Sequence, residues 1–118
     1  MPEASVFFLG YSRNEVTLQL EAYYEKSPEA IRLVNTCFVL DVMQATGGSA
    51  AAALRFLKSL GIKDIRLISV IAAPEGVNYL NAMHPDVLIT IATVDRCLNS
   101  KGYILPGLGD AGDRQFGT

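Results

Sequence analysis

Three short runs of almost unbroken apolar residues govern what this chain can fold into: Thr36–Leu40, Ile65–Ile71 and Val87–Ile91. Each is too short for a helix of ordinary length and lacks the alternation of a strand with one wet face. The stretches between them carry helical periodicity instead. In Ser49–Leu60 the residues Ala50, Ala53, Leu54, Leu57 and Leu60 fall on one face, whereas Arg55 and Lys58 fall off it. Gly61 is placed to stop that helix. Pro74–Met83 repeats the pattern with Val77, Leu80 and Met83, and Pro85 follows its end. Apolar strands joined by helices imply an α/β fold with a parallel sheet, flanked by helices on both faces.

The first third reads differently. Val6–Leu9 is a short apolar strand, Tyr11-Ser12-Arg13-Asn14 is turn-like, and Val16, Leu18 and Leu20 alternate with polar residues. These predict an N-terminal β-hairpin. Ser27-Pro28-Glu29 resembles a helix start with Pro28 at its first position. From Lys101 onward the chain is glycine-rich and reads as loop.

Composition narrows the function classes. Half of the 118 residues are hydrophobic, 19% are charged and the net charge is −2. That balance gives no electrostatic footprint for nucleic acid. The apolar excess points to a subunit interface or a neighbouring structural unit. No run reaches the roughly 18 apolar residues of a membrane span, and Met1-Pro2-Glu3-Ala4 lacks the features of a signal peptide. Cys37, inside an apolar strand pattern, reads as a buried free thiol, and with Cys97 far away in sequence a reducing, cytoplasmic setting is expected.

The chemistry concentrates in Asp41-Val42-Met43-Gln44-Ala45-Thr46-Gly47-Gly48-Ser49, which follows a buried strand and opens a helix. The carboxyl end of a parallel strand is where open α/β sheets bind ligands. Gly47 and Gly48 let backbone N–H groups approach an anion closely, and the helix start adds unpaired donors and partial positive charge. Thr46 and Ser49 add hydroxyls. Asp41 would repel a phosphate but suits two ribose hydroxyls. No Lys follows the glycines, so this is not a Walker loop. His84, the one histidine, precedes Pro85 at a helix end and reads as structural or solvated, helped there by the helix dipole.

At these residues the sequence resembles the phosphoribosyltransferase signature for 5-phospho-α-D-ribose 1-diphosphate, in the version found in uracil phosphoribosyltransferases. Ala72-Ala73-Pro74-Glu75-Gly76, the tail Gly102–Arg114 with Phe116-Gly117-Thr118, Arg13-Asn14-Glu15 and Tyr23-Tyr24-Glu25-Lys26 carry the same resemblance. It implies a partial type I phosphoribosyltransferase fold, a single domain over residues 1–118 lacking its N-terminal part. It also implies conversion of uracil and the phosphoribosyl donor to UMP and diphosphate. Asp41 and Arg13 would be catalytic. Arg13, Asp41, Val42, Met43, Gln44, Ala45, Thr46, Gly47, Gly48, Ser49 and Asp110 would bind the donor, and Ile104, Gly109, Asp110 and Ala111 the uracil. Lys26 is a weaker candidate, for which solvent exposure is at least as good a reading.

The resemblance further implies Mg²⁺ carried mainly by the donor, a homo-oligomer, no membrane or nucleic-acid partner, and, in some relatives, GTP binding. Val42 stands where the family usually has Pro. The upstream part of the pattern supplies another arginine for diphosphate and part of the sheet. An alternative is therefore a noncatalytic nucleotide-binding module, or a part completed by another chain.

Overall fold

The computed structural model describes residues 3–13, 20–26 and 34–117. Its centre is a parallel sheet of β3 (Thr36–Gln44), β4 (Asp64–Ala72) and β5 (Leu88–Val94), in that order. Helix α1 (Gly48–Ser59) joins the first pair and α2 (Pro74–Met83) the second. The register places Val39 beside Leu67 and Leu67 beside Ile89. The larger of two buried clusters among the described residues holds the unit together. Leu54 and Leu57 of α1, Leu80 of α2 and Leu67 of β4 are essentially inaccessible, with Cys37, Val39 and Ile89 packed against them. Each such buried side chain contributes on the order of 1.5–3 kcal/mol.

Both helices share that core, so they lie on one face of the sheet. The opposite face carries Phe38, Leu40, Val42, Ile68, Val70 and Leu88, all exposed, with Leu40 at 75%. The expectation of helices on both faces is thus half met among the described residues. The apolar runs are two-sided as read, but the described residues cover one side.

Element ends show where local chemistry differs from the sequence reading. α2 spans the expected residues, with Pro74 in its first turn, where a missing N–H costs nothing. α1 starts a residue earlier than expected, because Gly47, with φ 81°, acts as the N-cap in place of a Ser or Thr side chain. Gly61 follows its end at φ 88°. β3 runs four residues beyond Leu40, since Asp41, Met43 and Gln44 still pair with Ser69, Ile71 and Ala72.

The N-terminal hairpin is present but shifted. β1 (Phe8–Arg13) pairs antiparallel with β2 (Leu20–Lys26), with a bulge at Gly10/Tyr11. Tyr11, Ser12 and Arg13, read above as a turn, are strand. Pairing resumes past the bulge, with Ser12 opposite Glu21 and Arg13 opposite Leu20. The Ser27-Pro28-Glu29 helix start lies outside the described residues.

The tail has more order than its glycines suggested. β6 (Cys97–Leu98) and β7 (Ile104–Leu105) form a small antiparallel pair, and α3 spans Ala111–Phe116. Asp110 caps α3, its Oδ1 accepting the Asp113 N–H at 2.8 Å. Cys37 and Cys97 are free and half-buried, and burial pushes the Cys37 thiol up.

Candidate active site at the carboxyl edge of the sheet

The three strands end at Gln44, Ala72 and Val94, and their continuations are tied together across that edge. Ala73 N–H donates to Gln44 O at 2.9 Å, and Asp95 N–H to Ala72 O at 2.8 Å. The Asp41–Ser49 segment therefore sits beside the start of α2 and the beginning of the tail.

Asp41 lies three residues inside β3 rather than at its end. Its flank is supplied by Gln44, whose Nε2 donates to Asp41 Oδ2 at 2.9 Å and to Ser69 Oγ at 3.1 Å. Burial pushes the Asp41 carboxyl above its ordinary range, an effect opposed by the Gln44 amide and by the backbone N–H groups of Met43 and Val42. Gln44 is almost wholly buried, so its side chain holds the acid and does not reach outward. Val42 points to the open face of the sheet and Met43 into a small core.

Beyond Gln44 the chain turns through Ala45, Thr46 and Gly47. The turn is pressed against α2. A Cβ on Gly76 would sit 2.4 Å from Ala45 O, and one on Gly47 would sit 2.9 Å from Gly76 O. The two glycines thus permit mutual backbone contact. α1 then begins with no acidic residue in its first turn and no side-chain cap bond. Thr46 Oγ1 accepts only a long bond, 3.4 Å, from Gly48 N–H. An N-terminus left so open favours an anion.

The tail meets this loop at its base. Ile104, Ile71 and Ala73 form a buried cluster against which Met43, Ala45 and Leu98 pack. Ile104 is itself buried, so a base could contact it only through its backbone. Gly109, with φ 73°, and Asp110 are exposed, and Ala111 opens α3. Asp110 uses one carboxylate oxygen as the cap, and Leu108 O accepts from Arg114 Nη1 at 2.8 Å.

A broad groove of about 1050 Å³ runs along Asp41 and the Thr46–Ala50 turn, walled on the far side by the N-terminal arm, including Phe7 and Tyr11. None of Ile104–Asp110 lines it. The two proposed segments are packed neighbours at the sheet edge without sharing that one groove. Arg13 closes β1 opposite Leu20, and Lys26 closes β2 opposite Phe8. Their side chains lie outside what is described.

His84 lies away from this edge. It is buried at the end of α2, with Nε2 3.2 Å from Ala51 O and Nδ1 2.9 Å from Lys58 Nζ, which also pairs with Asp86 at 2.7 Å. Ala51 O can only accept, so Nε2 carries the proton and Nδ1 accepts from Lys58. The structural reading holds, but the dipole-favoured cation does not. Burial, followed by the Lys58 charge, holds its pKa below the ordinary value.

Sequence reasoning missed three contributors. Gly76 carries a usable signal, because a glycine in a helix costs about 1 kcal/mol relative to alanine and so points to a packing reason. Gln44 was read as a donor contact, not as the support of Asp41. Asp95 carried no signal, because its partner, Gly107, lies 12 residues away in an irregular loop.

A βαβαβ unit with an acid and a glycine-turned helix start at the carboxyl edge of its first strand defines an α/β protein of the class that binds phosphorylated ligands at that edge. The comparisons with known proteins carry this further. The uracil phosphoribosyltransferase family model matches residues 1–118, and the chain belongs to that family. It is 53% identical over 118 residues to the uracil phosphoribosyltransferase of Campylobacter fetus subsp. fetus, covering all of this chain and 56% of that protein. A Roseiflexus sp. uracil phosphoribosyltransferase is likewise 53% identical, with the same coverage. A solved structure, the AQ2163 protein from Aquifex aeolicus, superposes with TM-score 0.86 at 42% identity, covering 98% of this chain and 54% of that one. The chain spans about half the length of the curated relatives it matches, and corresponds to their C-terminal part.

Proposed function

We propose that this chain carries the donor loop and base loop of a uracil phosphoribosyltransferase, a pentosyltransferase that makes UMP and diphosphate from uracil and 5-phospho-α-D-ribose 1-diphosphate. The observation that carries this reading is the packing of Ile104 against Met43 and Ala45, which brings a base-sized glycine loop next to the loop suited to a sugar phosphate. In the reaction the bond from the anomeric carbon to diphosphate breaks, a bond to uracil nitrogen forms, and uracil loses its proton.

The resemblance to the family assigns each residue a role, and the chemistry of the residue suits it. The amides at Gly47, Gly48 and Ser49, with the Thr46 and Ser49 hydroxyls, would hold the phosphate. Asp41, oriented by Gln44, would accept from the ribose hydroxyls, each such bond to a charged acceptor contributing about 1.5–3 kcal/mol. Arg13 would take diphosphate through its planar fork. The backbone at Ile104, Gly109 and Ala111 would read the uracil edge, with Asp110 on the donor side.

Mg²⁺ would enter with the diphosphate and neutralise charge there. Among the described residues no group of three or more His, Cys, Asp or Glu side chains is arranged to hold a metal. Isolated carboxylates such as Asp110 suit an ion that keeps most of its waters and the donor's oxygens. A cytoplasmic homo-oligomer is part of the same proposal, and the exposed apolar sheet face supports its association.

The test is UMP formation from uracil, donor and Mg²⁺, run beside calorimetric titration of the donor. UMP production supports the full reading. Donor binding without turnover identifies a binding module. Activity restored only by adding the remaining N-terminal part of a relative identifies a site shared between chains. A chain that neither binds donor nor makes UMP refutes the proposal.

A further inference from the structure

We infer that Asp95 is a positioning residue for the base loop: its carboxylate anchors Gly107 and so sets where the backbone of Ile104–Gly109 stands relative to the sheet. This rests on the functional reading above and assigns a role to a residue outside the proposed contacts.

Asp95 follows the last residue of β5 and is fixed at both ends. Its N–H donates to Ala72 O at 2.8 Å, and the next residue, Arg96, donates N–H to Leu105 O at 3.0 Å. From this fixed point Asp95 Oδ2 accepts the Gly107 N–H at 2.8 Å, in a partly buried position. An ionised acceptor makes a stronger bond than a neutral one. Gly107 has little freedom of its own. Its φ is 63°, and a Cβ there would stand 2.2 Å from Ile104 O. The loop is therefore folded back directly over the carbonyl of a residue proposed to face the base.

The contact also completes a connected path. Gln44 O accepts from Ala73 N–H, Ala72 O accepts from Asp95 N–H, and the Asp95 carboxylate accepts from Gly107 N–H. The donor loop and the base loop are thereby referenced to one strand edge. Removing the carboxylate frees only the distal end of that path. Gly76 and Gly47 still brace the donor loop through their own contact. The predicted defect is accordingly one-sided, with uracil affected and the donor spared.

The test compares wild type, Asp95→Ala and Asp95→Asn by amide hydrogen exchange and by titration with uracil and, separately, with 5-phospho-α-D-ribose 1-diphosphate. In Asp95→Ala, exchange should accelerate across 104–110 and stay at the wild-type rate across 45–50. Uracil affinity should fall about tenfold, the scale of one lost charge-assisted bond, with donor affinity unchanged. Asp95→Asn, which keeps an acceptor oxygen, should lie between. Unchanged exchange at 104–110, or equal losses at both loops and for both ligands, overturns the inference. Wild-type chain that binds no uracil counts against the proposed function. The exchange comparison still decides whether Asp95 holds the loop.

Discussion

Gly76→Ala is the smallest change that should damage the donor loop from outside it. On helix propensity alone the substitution should stabilise α2 by about 1 kcal/mol. The structure predicts the opposite sign. The new methyl would stand 2.4 Å from Ala45 O and 3.1 Å from both Ala45 C and Gln44 O. These are backbone atoms and cannot swing aside as a side chain would. Ordinary contact begins near 3.4 Å, so loop and helix must part by about 1 Å. Overpacking of this kind costs about 1–3 kcal/mol, and the rigid neighbours place it in the upper part of that range. The net loss is then about 1–2 kcal/mol, which for a domain of this size lowers Tm by at least about 4 °C. The displaced turn includes Gly47, so the amides that would face the phosphate move as well, and donor affinity should fall about tenfold or more. Thermal unfolding by circular dichroism and calorimetric titration of the donor measure the two effects. A Tm at or above wild type would refute the packing argument. A lowered Tm with undiminished donor affinity would refute the link from α2 to the loop.

Three further outcomes follow from the same coordinates. Asp41→Asn should leave Tm unchanged or higher while donor affinity falls about tenfold or more. Burial raises this carboxyl's folded pKa above 3.8, so its ionisation opposes folding as pH rises through that range, and the amide removes the cost; a fall in Tm would contradict this. His84 gives a pH dependence of the other sign. Its folded pKa lies below 6.5, under burial and the neighbouring Lys58 and Arg55 charges, with Asp86 opposing. The stability it contributes is complete above about pH 6.5 and is lost as pH falls, and His84→Gln should flatten the acid side of a Tm-against-pH curve. Finally, Leu54→Ala should cost about 2–5 kcal/mol, whereas Leu40→Ser should cost under about 0.5 kcal/mol by chemical denaturation of dilute, monomeric chain, and should weaken self-association at higher concentration.

What the sequence revealed, and what it withheld, divides by range. Pro74 and Pro85 punctuate α2 locally, and its bounds were readable to the residue. The glycine pair located the donor loop but suggested that the strand ended at Asp41. Residues 41–44 remain in register with β4 because pairing is decided by the neighbouring strand. Tyr11–Arg13 carried turn-forming residues, yet a partner strand drew them into β1 around a bulge. The tail looked like loop because its order comes from side chains reaching across it: Asp110 to Asp113, Arg114 to Leu108 and Asp95 to Gly107. None of these has a periodicity. Two-sided apolarity in the strands was read as two layers of helix. The pattern reports what a strand tolerates on each face, not what covers it.

The burial of Asp41 shows how this edge differs from the rest of the core. Elsewhere a polar group inside the fold is paid for by a partner. His84 sits neutral between Ala51 and Lys58, and Gln44 finds two acceptors. Asp41 is also partnered, yet its carboxyl remains harder to ionise than in water. A core selected for stability alone would place a serine or an apolar residue there. Keeping an acid at a site where burial disfavours its charge is intelligible if hydroxyl donors from a ligand stabilise the carboxylate there. Gln44 then serves to aim the carboxylate. Ligand hydroxyls bound at Asp41 should therefore draw its pKa back down, so that donor affinity rises with pH as this carboxyl ionises.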